Sequence, residues 1–228
     1  MTVKPRILLC GDTGISVEFG NAIDAGINAR VRGLYQRLKA GKPPGILDLN
    51  PTYRSLFIQY DPAGCSFERL LLLVDECLEA GGEAERMEAR LKEVPVCYGG
   101  AFGPDVEEVA GFHGLSSAEV VSIHSGREYD VYMIGFLPGF AYLGGLDERL
   151  VTPRKKEPRK AVAPGSVGIA DRQTGIYPIR SPGGWQIIGR TPSKLFDPDR
   201  ETPFLLEAGD RVRFKPISEE EFESYKDR

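Results

Sequence analysis

The segment from residue 129 to residue 192 constrains the fold more than any other part of this 228-residue chain. It combines glycine, proline, aromatic and arginine residues and has almost no helical periodicity. Glycine permits positive φ angles, whereas proline fixes φ and removes a hydrogen-bond donor, so both residues shape loops. The segment therefore predicts short strands joined by shaped turns, and loops held on a strand scaffold are where functional residues concentrate.

The first ninety or so residues instead alternate strand and helix patterns. Three segments have the composition of strands: residues 6–10, 15–19 and 53–60. Two helices carry apolar residues three and four positions apart, which places those residues on one face. We expect Asn21 to cap the first helix and Ser66 to cap the second. The order ββαβα predicts an α+β N-terminal domain, an antiparallel sheet with helices, over residues 1–92.

A polar, charged run from residue 83 to residue 93 predicts a connection to a second domain over residues 93–228. A strand should come first, followed by two short helices. Pro104 is the expected first residue of one helix, and a capping box from Ser116 to Glu119 opens the other. Later strand candidates are residues 129–134, 167–170, 176–180, 185–190 and 211–215. Many short strands between glycine and proline turns predict a mostly-β barrel or sandwich.

Composition and charge argue against several classes of protein. A net charge of −4 and a pI near 5.4 argue against general binding of nucleic acid. No apolar stretch is long enough to cross a membrane, and the N-terminus lacks the pattern of a signal peptide. The four cysteines are scattered without a CxxC motif, which predicts reduced core residues. We therefore expect a cytoplasmic protein.

His124 is the stronger of two histidine candidates for chemistry. It lies in the predicted last turn of a short helix, just before the strand that leads into the glycine-rich segment. A helix C-terminus favours a protonated imidazole, so His124 either caps the last carbonyls or acts as a general acid or base. We expect His113 to be structural. The two histidines are too far apart for a helical pair and have no cysteine cluster beside them, so no metal site is predicted.

Arginines in and after a basic run at residues 154–160 are candidates for binding an anion. Arg154, Arg159 and Arg190 could clamp a carboxylate or phosphate with two hydrogen bonds each, and the alternative is a solvated or bracing loop. Gln173 could match an amide group donor for acceptor. Ser166 lacks the spacing of a nucleophile elbow, so it is interpreted as a hydrogen-bonding residue on a turn.

Two glycine-rich loops could point backbone N–H groups at a carbonyl oxygen or a phosphate. The first contains Gly135, Phe136, Pro138, Gly139, Phe140 and Tyr142, and the second contains Gly183, Gly184 and Trp185. The alternative for both loops is an aromatic-lined structural turn. Gln173 and Tyr177 are expected to flank a further turn at Thr174–Gly175. No Walker A or GxGxxG motif occurs, so a nucleotide would have to be held in another way.

Five motifs occur in a characteristic order: GFLPGFAYLGGL at 135–146, TPR…EPR at 152–159, PGSVGIA at 164–170, QTGIYP at 173–178 and SPGGWQIIGRTP at 181–192. Their order and spacing resemble the family of the 5-oxoprolinase B subunit. Its members are also called allophanate hydrolase subunit 1, and some are called inhibitors of a sporulation histidine kinase. VPVCYGG at 94–100 resembles the middle of the family, so the likeness covers nearly the whole chain.

The resemblance implies a small α+β domain followed by a cyclophilin-like β-barrel within a carboxyltransferase domain. It also implies a polypeptide that is inactive alone and that opens 5-oxoproline to L-glutamate with the A and C subunits. ATP would phosphorylate the amide oxygen and so create a good leaving group. The alternatives are a component of an allophanate or urea-type amidohydrolase, or a regulator that docks on a histidine kinase. A prolyl isomerase rests on analogy with the barrel alone.

Matching the motifs residue by residue gives two sets of candidate site residues. The catalytic candidates are His124, Arg154, Arg159, Gln173 and Arg190. The substrate-binding candidates are Gly135, Phe136, Pro138, Gly139, Phe140, Tyr142, Ser166, Tyr177, Gly183, Gly184 and Trp185. We hypothesise that His124 transfers a proton at the lactam and that arginines bind the carboxylate or the transferred phosphoryl group. Loop amides would bind the developing oxyanion.

Overall fold

The structure, a computed structural model, describes residues 4–80 and 89–225, and the chain divides into two compact units, Met1–Glu88 and Ala89–Arg228. The predicted connection at residues 83–93 lies largely outside the described residues, and a strand has begun by Leu91. Within the described residues, no helix is both long and apolar enough to cross a lipid bilayer.

The first unit is a four-stranded antiparallel sheet with two helices. Its elements are β1 (Arg6–Leu9), β2 (Gly14–Glu18), α1 (Ala25–Gly41), β3 (Ile46–Pro51), β4 (Ser55–Tyr60) and α2 (Phe67–Glu79). The strand order is β1-β2-β4-β3, and apolar residues of β2 and β4 pack against both helices in one core. The order is thus ββαββα. Strand β3 was not predicted, because polar Asp48 and Asn50 alternate with leucines on an edge strand that follows a proline-rich loop.

The second unit is built on a closed seven-stranded barrel. Its elements are β5 (Leu91–Tyr98), α3 (Val106–His113), α4 (Ser117–Ser125), β6 (Glu128–Ile134), β7 (Ala141–Gly144), β8 (Arg159–Val162), β9 (Ser166–Ala170), β10 (Gln173–Ile176), β11 (Ser181–Gly183), β12 (Gln186–Arg190), β13 (Arg211–Pro216) and α5 (Glu219–Tyr225). The barrel closes in the order β10-β7-β6-β13-β5-β12-β9, and β8 pairs with β11 separately. This architecture confirms the mostly-β barrel and fits the cyclophilin-like barrel that the resemblance implies.

Helix caps show where local signals are decisive. Ser66 accepts from the N–H of Arg69 at 3.2 Å, and Ser116 forms the predicted capping box with Glu119. The expected cap at Asn21 is wrong, because Asp24 accepts from the N–H of Ile27 at 2.9 Å and starts α1 three residues later. Pro104 is not the first residue of α3, which begins at Val106.

The predicted turn at Thr174–Gly175 is wrong, and so is the predicted strand over residues 176–180. Both turn residues lie inside β10, and the hairpin turn is Asp171–Arg172, with Asp171 at φ +51°. Gly175 is required by close packing, since a Cβ there would lie 2.8 Å from the carbonyl oxygen of Ala141. The glycine signal was therefore interpreted as a turn when it marks a close approach inside a strand.

The four cysteines are free. Cys65 and Cys97 are buried and Cys77 is half-buried, whereas Cys10 is exposed. The predicted core position of Cys10 is therefore wrong, because Cys10 directly follows β1, an edge strand whose residues are largely exposed.

Candidate functional site

His124 lies in the barrel unit, in the last turn of α4, and is fully buried. Its ring stacks on Phe214 with centroids 4.6 Å apart. Nδ1 lies 2.8 Å from the hydroxyl of Tyr98, and Nε2 lies 2.9 Å from the hydroxyl of Thr174. The Thr174 hydroxyl donates to the carbonyl of Gly168, so it accepts from Nε2–H while Tyr98 donates to Nδ1. Both ring nitrogens of this His124 cluster (His124, Tyr98 and Thr174) are engaged by neutral partners.

Burial lowers the pKa of His124 to about 3. The expectation of a protonated imidazole is therefore wrong, because lost hydration outweighs the attraction of the helix C-terminus. A neutral ring with no open nitrogen favours a structural role, and the proton-transfer hypothesis stays a prediction. His113 contacts Thr152, with its Nε2 3.1 Å from the threonine hydroxyl.

The buried carboxylate of Asp105 joins segments that are distant in sequence. Its Oδ1 accepts from Nη2 of Arg159 at 2.6 Å and from Nζ of Lys155 at 3.0 Å. Its Oδ2 accepts from the backbone N–H of Ile187 at 2.6 Å. Burial raises the pKa of Asp105, but the hydrogen bonds from Arg159, the Ile187 amide and Lys155 together lower it below its ordinary value. We refer to Asp105, Lys155 and Arg159 as the Asp105 cluster.

Lys155 uses its whole hydrogen-bonding capacity inside the protein. Besides Asp105, its ammonium contacts Glu108 at 2.7 Å and the side-chain oxygen of Gln186 at 3.2 Å. These contacts account for its three N–H donors. Its backbone N–H also donates to the carbonyl of Gly184 at 2.7 Å. Lys155 therefore connects the basic loop to the segment that carries Trp185.

Arg159 retains capacity that Lys155 lacks. Its side chain is 28% exposed, and besides Asp105 it contacts the carbonyl of Trp185 through Nη1 at 3.4 Å. A guanidinium has five N–H donors, so these two contacts leave three of them available within the described part of the chain. Arg159 is thus held in place and can still donate to a ligand.

Arg154 also contacts Trp185, with its guanidinium over the indole ring. Its Cζ lies 5.9 Å from the ring centroid, and its Nε lies 3.5 Å from a carboxylate oxygen of Asp171. The side chain of Arg154 is 58% exposed. Arg154 and Arg159 therefore both contact Trp185, Arg154 at its ring and Arg159 at its backbone carbonyl.

The aromatic candidates form one cluster around Phe140. Its ring lies 5.1 Å from Tyr177, 5.5 Å from Trp185 and 4.7 Å from Tyr142, measured between centroids. Phe140, Tyr177 and Trp185 are buried, whereas Tyr142 is half-buried. Burial raises the pKa of Tyr177 to about 12, so its hydroxyl is neutral at ordinary pH. Gly183 packs on this hydroxyl, since a Cβ would lie 2.4 Å from it.

The loop from Gly135 to Phe140 uses some of its amides internally. The N–H of Gly135 donates to the carbonyl of Phe140, Leu137 donates to Gly135, and Phe140 donates to Leu137. The N–H groups of Phe136 and Gly139 have no hydrogen-bond partner within residues 4–80 and 89–225. Both residues have positive φ, +65° and +83°, and the ring of Phe136 is 63% exposed. The described residues therefore leave these two amides without a partner, although Gly139 itself is buried, and Pro138 has no N–H group.

Three further candidates have other contacts. Arg190 donates from Nε to the carbonyl of Pro164 at 2.8 Å, and its Cζ lies 5.9 Å from the ring of Phe222. Ser166 is buried at the start of β9, where its carbonyl accepts from the N–H of Tyr177. Gln173 is buried on β10. Within the part of the chain that the structure describes, the contacts given for Arg190 and Ser166 join neither the Asp105 cluster nor Trp185.

Sequence reasoning missed Asp105 and Lys155 as members of the site. Lys155 stands in the basic run, which was assigned to anion binding through its arginines. Asp105 directly precedes α3, where an acidic residue ordinarily does no more than complement the positive end of the helix. A signal was present in the run of basic residues at 154–160, because closely spaced cations repel one another unless an acidic group pairs with some of them.

Comparison with known proteins gives consistent matches. A family model described as carboxyltransferase domain, subdomain C and D, matches residues 5–206. The chain is 44% identical to the B subunit of 5-oxoprolinase from Bacillus subtilis (strain 168), in an alignment covering all of this chain and 99% of that protein. It is 25% identical to urea amidolyase of Saccharomyces cerevisiae over 97% of this chain, which corresponds to 14% of that protein.

A solved structure supports the fold. The crystal structure of TTHA0988 matches with a TM-score of 0.79 and 41% identity, covering 90% of this chain. The match corresponds to 40% of the TTHA0988 chain, so this chain spans about two fifths of that longer protein.

Proposed function

Because this chain belongs to the family of the carboxyltransferase domain, subdomain C and D, we propose that it is the B subunit of an ATP-dependent 5-oxoprolinase. The assembled enzyme would open 5-oxoproline to L-glutamate together with the A and C subunits, and this chain would be inactive alone. One observation carries the proposal: the 44% identity to a 5-oxoprolinase B subunit over the full length of both chains. The two compact units would be its α+β domain and its barrel domain.

The two arginines at Trp185 suit the carboxylate of 5-oxoproline. Arg159 is fixed by Asp105 and has donors to spare, and Arg154 lies over the ring of Trp185. A guanidinium binds a carboxylate with two parallel, charge-assisted hydrogen bonds, which fixes orientation as well as position. We therefore assign substrate anchoring to Arg159, with Arg154 as the exposed second cation.

The loop beside the aromatic cluster suits the amide carbonyl. The ring of Phe136 contacts Phe140, and Phe140 contacts Trp185. These ring contacts link the loop to Trp185, which both arginines also contact. Donors placed where negative charge develops stabilise a transition state more than a ground state. These two amides would support the oxyanion as the lactam carbonyl is attacked.

The sequence lacks a Walker A loop, so no familiar phosphate-binding motif assigns a triphosphate to this chain. Lys155 already donates its three ammonium N–H groups to protein oxygens. We assign ATP to the assembled complex. The roles of His124, Gln173 and Arg190 rest on the resemblance alone.

A urea-type amidohydrolase is the second candidate function, because urea amidolyase aligns with nearly this whole chain at 25% identity. Urea and allophanate also contain an unreactive amide carbonyl, but only allophanate has a carboxylate that two arginines could bind. The arginine pair therefore argues against urea as the substrate, and the choice between 5-oxoproline and allophanate rests on the higher identity to the 5-oxoprolinase B subunit. Inhibition of a histidine kinase stays a prediction from the resemblance.

The test is ATP-dependent release of glutamate from 5-oxoproline by this chain co-purified with its A and C partners. We expect release with the complete set, none when this chain is omitted, and none from this chain alone. Release that persists without this chain would contradict its assignment to the enzyme. The same preparations given allophanate or urea decide between the two amide substrates, and Arg172→Gln, a change at an exposed arginine paired with Glu148, serves as the surface control.

A further inference from the structure

Asp105 departs from the behaviour that its position favours. It is the N-cap residue of α3, and aspartate at this position usually accepts a hydrogen bond from the first turn. Its side chain makes no capping bond and instead accepts from Arg159, Lys155 and Ile187. A local preference that is overridden in this way is expected at functional or strained sites.

The two cations on Asp105 differ in what they can do next. Lys155 has its three donors committed to protein oxygens, whereas Arg159 has three donors left. Lys155 also binds Glu108 and Gln186, which holds the basic loop in place independently of a ligand. Of the two cations, Arg159 is therefore the one that Asp105 can present to a ligand.

We infer that Asp105 is a positioning residue that fixes the guanidinium of Arg159 so that its remaining N–H groups face the carboxylate of the substrate. This inference rests on the proposed function. Asp105 itself accepts only from protein donors and does not touch the substrate. It acts by removing the rotational freedom of Arg159, so its loss should weaken substrate binding more than it slows the chemical step.

A spectroscopic test of the full chain requires no activity. The chain is labelled with ¹⁵N-arginine for NMR, and the signal of the Arg159 side chain is identified as the one that disappears in the Arg159→Lys variant. We expect rotation about its Nε–Cζ bond to be about tenfold slower than in exposed Arg154, because the 2.6 Å bond to Asp105 restrains it. In Asp105→Asn, rotation should approach the rate of Arg154. Equal rotation of Arg159 in both proteins would overturn the inference.

A kinetic test uses the assembled complex and a matched control. Asp105→Asn should raise KM for 5-oxoproline about tenfold and leave KM for ATP unchanged. The control is Asp210→Asn, which removes an equally buried carboxylate that binds Arg90 at 3.0 Å and accepts from the N–H of Glu207. In an Arg159→Gln background, Asp105→Asn should have no further effect on KM. A merely structural role predicts that Asp105→Asn and Asp210→Asn have the same effect on KM for 5-oxoproline.

The two tests separate failure of the inference from failure of the proposed function. If the complete wild-type complex releases no glutamate, the proposed function is wrong, and the rotation measurement alone decides whether Asp105 restrains Arg159. If the complex is active and Asp105→Asn matches Asp210→Asn in KM, the positioning role is wrong while the function stands.

Discussion

The barrel unit contains two buried polar clusters that differ in what they leave unsatisfied. In the His124 cluster, neutral hydroxyls engage both ring nitrogens, and the ring has no donor or acceptor left. In the Asp105 cluster, one carboxylate faces two cations, and one of these keeps donors for a ligand. A ligand can bind only where hydrogen-bond donors or acceptors are not already used within the protein. A restrained arginine with free N–H groups is therefore a better indicator of a binding site than a buried histidine whose two nitrogens are both engaged.

The two clusters also differ in energetic cost. A neutral histidine enters the interior without the large penalty of burying a charge. Burying Asp105 with Lys155 and Arg159 costs desolvation that the ion pairs repay only in part, so such a cluster is weak support for stability. The inferred role of the Asp105 cluster is therefore to position Arg159 rather than to stabilise the fold. Changes in the two clusters should therefore affect different measurements, with stability responding to the first and substrate use to the second.

The largest effect is expected from His124→Ala, on stability. The change leaves a cavity against Phe214 and removes the ring partner of the Tyr98 and Thr174 hydroxyls, so the free energy of unfolding should fall by on the order of 4 kcal/mol. Urea denaturation of the isolated chain measures this loss. In the fraction of the assembled His124→Ala complex that remains folded, the rate of glutamate release should stay within a few-fold of the wild-type rate. A rate loss of several hundred-fold in folded complex would restore the proton-transfer hypothesis.

Arg159→Gln should have the next largest effect, on substrate use. It removes the fixed cation, so kcat/KM for 5-oxoproline should fall about 100-fold, equivalent to roughly 3 kcal/mol of transition-state stabilisation. Stability should change much less than in His124→Ala. The matched control is Arg172→Gln, on an arginine that pairs with Glu148 at the surface. Equal values of kcat/KM for Arg159→Gln and Arg172→Gln would show that Arg159 does not bind the substrate.

The contrast between the clusters also explains what the sequence could predict. Caps at Ser66 and Ser116 depend on residues three positions away, so local patterns suffice. The abundance of short strands followed from glycine and proline content, but the barrel order did not. The parallel pairing of β5 with β13, for example, joins segments from opposite ends of the unit. Non-local pairing of this kind leaves no local pattern.

The candidate site was likewise predictable only where its residues lie in local sequence motifs. Arg154, Arg159 and Trp185 belong to recognisable motifs, and the structure brings them together. Asp105 was missed because its partners lie 50, 54 and 82 residues further along the chain, while its neighbours resemble an ordinary helix start. His124 was over-interpreted because its helix position favours a charged ring, and only the fold shows that the ring is fully buried.

A smaller effect is expected from pH acting on the His124 cluster. The folded-state pKa of His124, about 3, lies below its ordinary value of 6.5. Between these values the unfolded chain binds a proton that the folded chain does not, so stability falls as pH falls below 6.5. Relative to His124→Gln, the wild type should lose about 2 kcal/mol between about pH 7 and pH 5, at about 1.4 kcal/mol per pH unit below 6.5.

Urea denaturation of both proteins at several pH values measures this difference. His113→Gln is the control, because this variant keeps the buried ring of His124 and its stability should vary with pH as that of the wild type does. A constant difference between wild type and His124→Gln across the range would show that His124 is accessible to protons in the folded chain. That result would also weaken the contrast between the two clusters.

The smallest effect is expected from Arg154→Gln, which separates the two arginines at Trp185. Arg154 is 58% exposed and its carboxylate contact with Asp171 is 3.5 Å long, so solvent competes with any ligand contact it makes. We expect kcat/KM for 5-oxoproline to fall only about three- to fivefold, worth roughly 1 kcal/mol, as for an exposed cation–π contact. Trp185 is the sole tryptophan, so its fluorescence reports loss of the overlying guanidinium directly. A loss as large as that from Arg159→Gln would show that restraint by Asp105 is not what distinguishes Arg159.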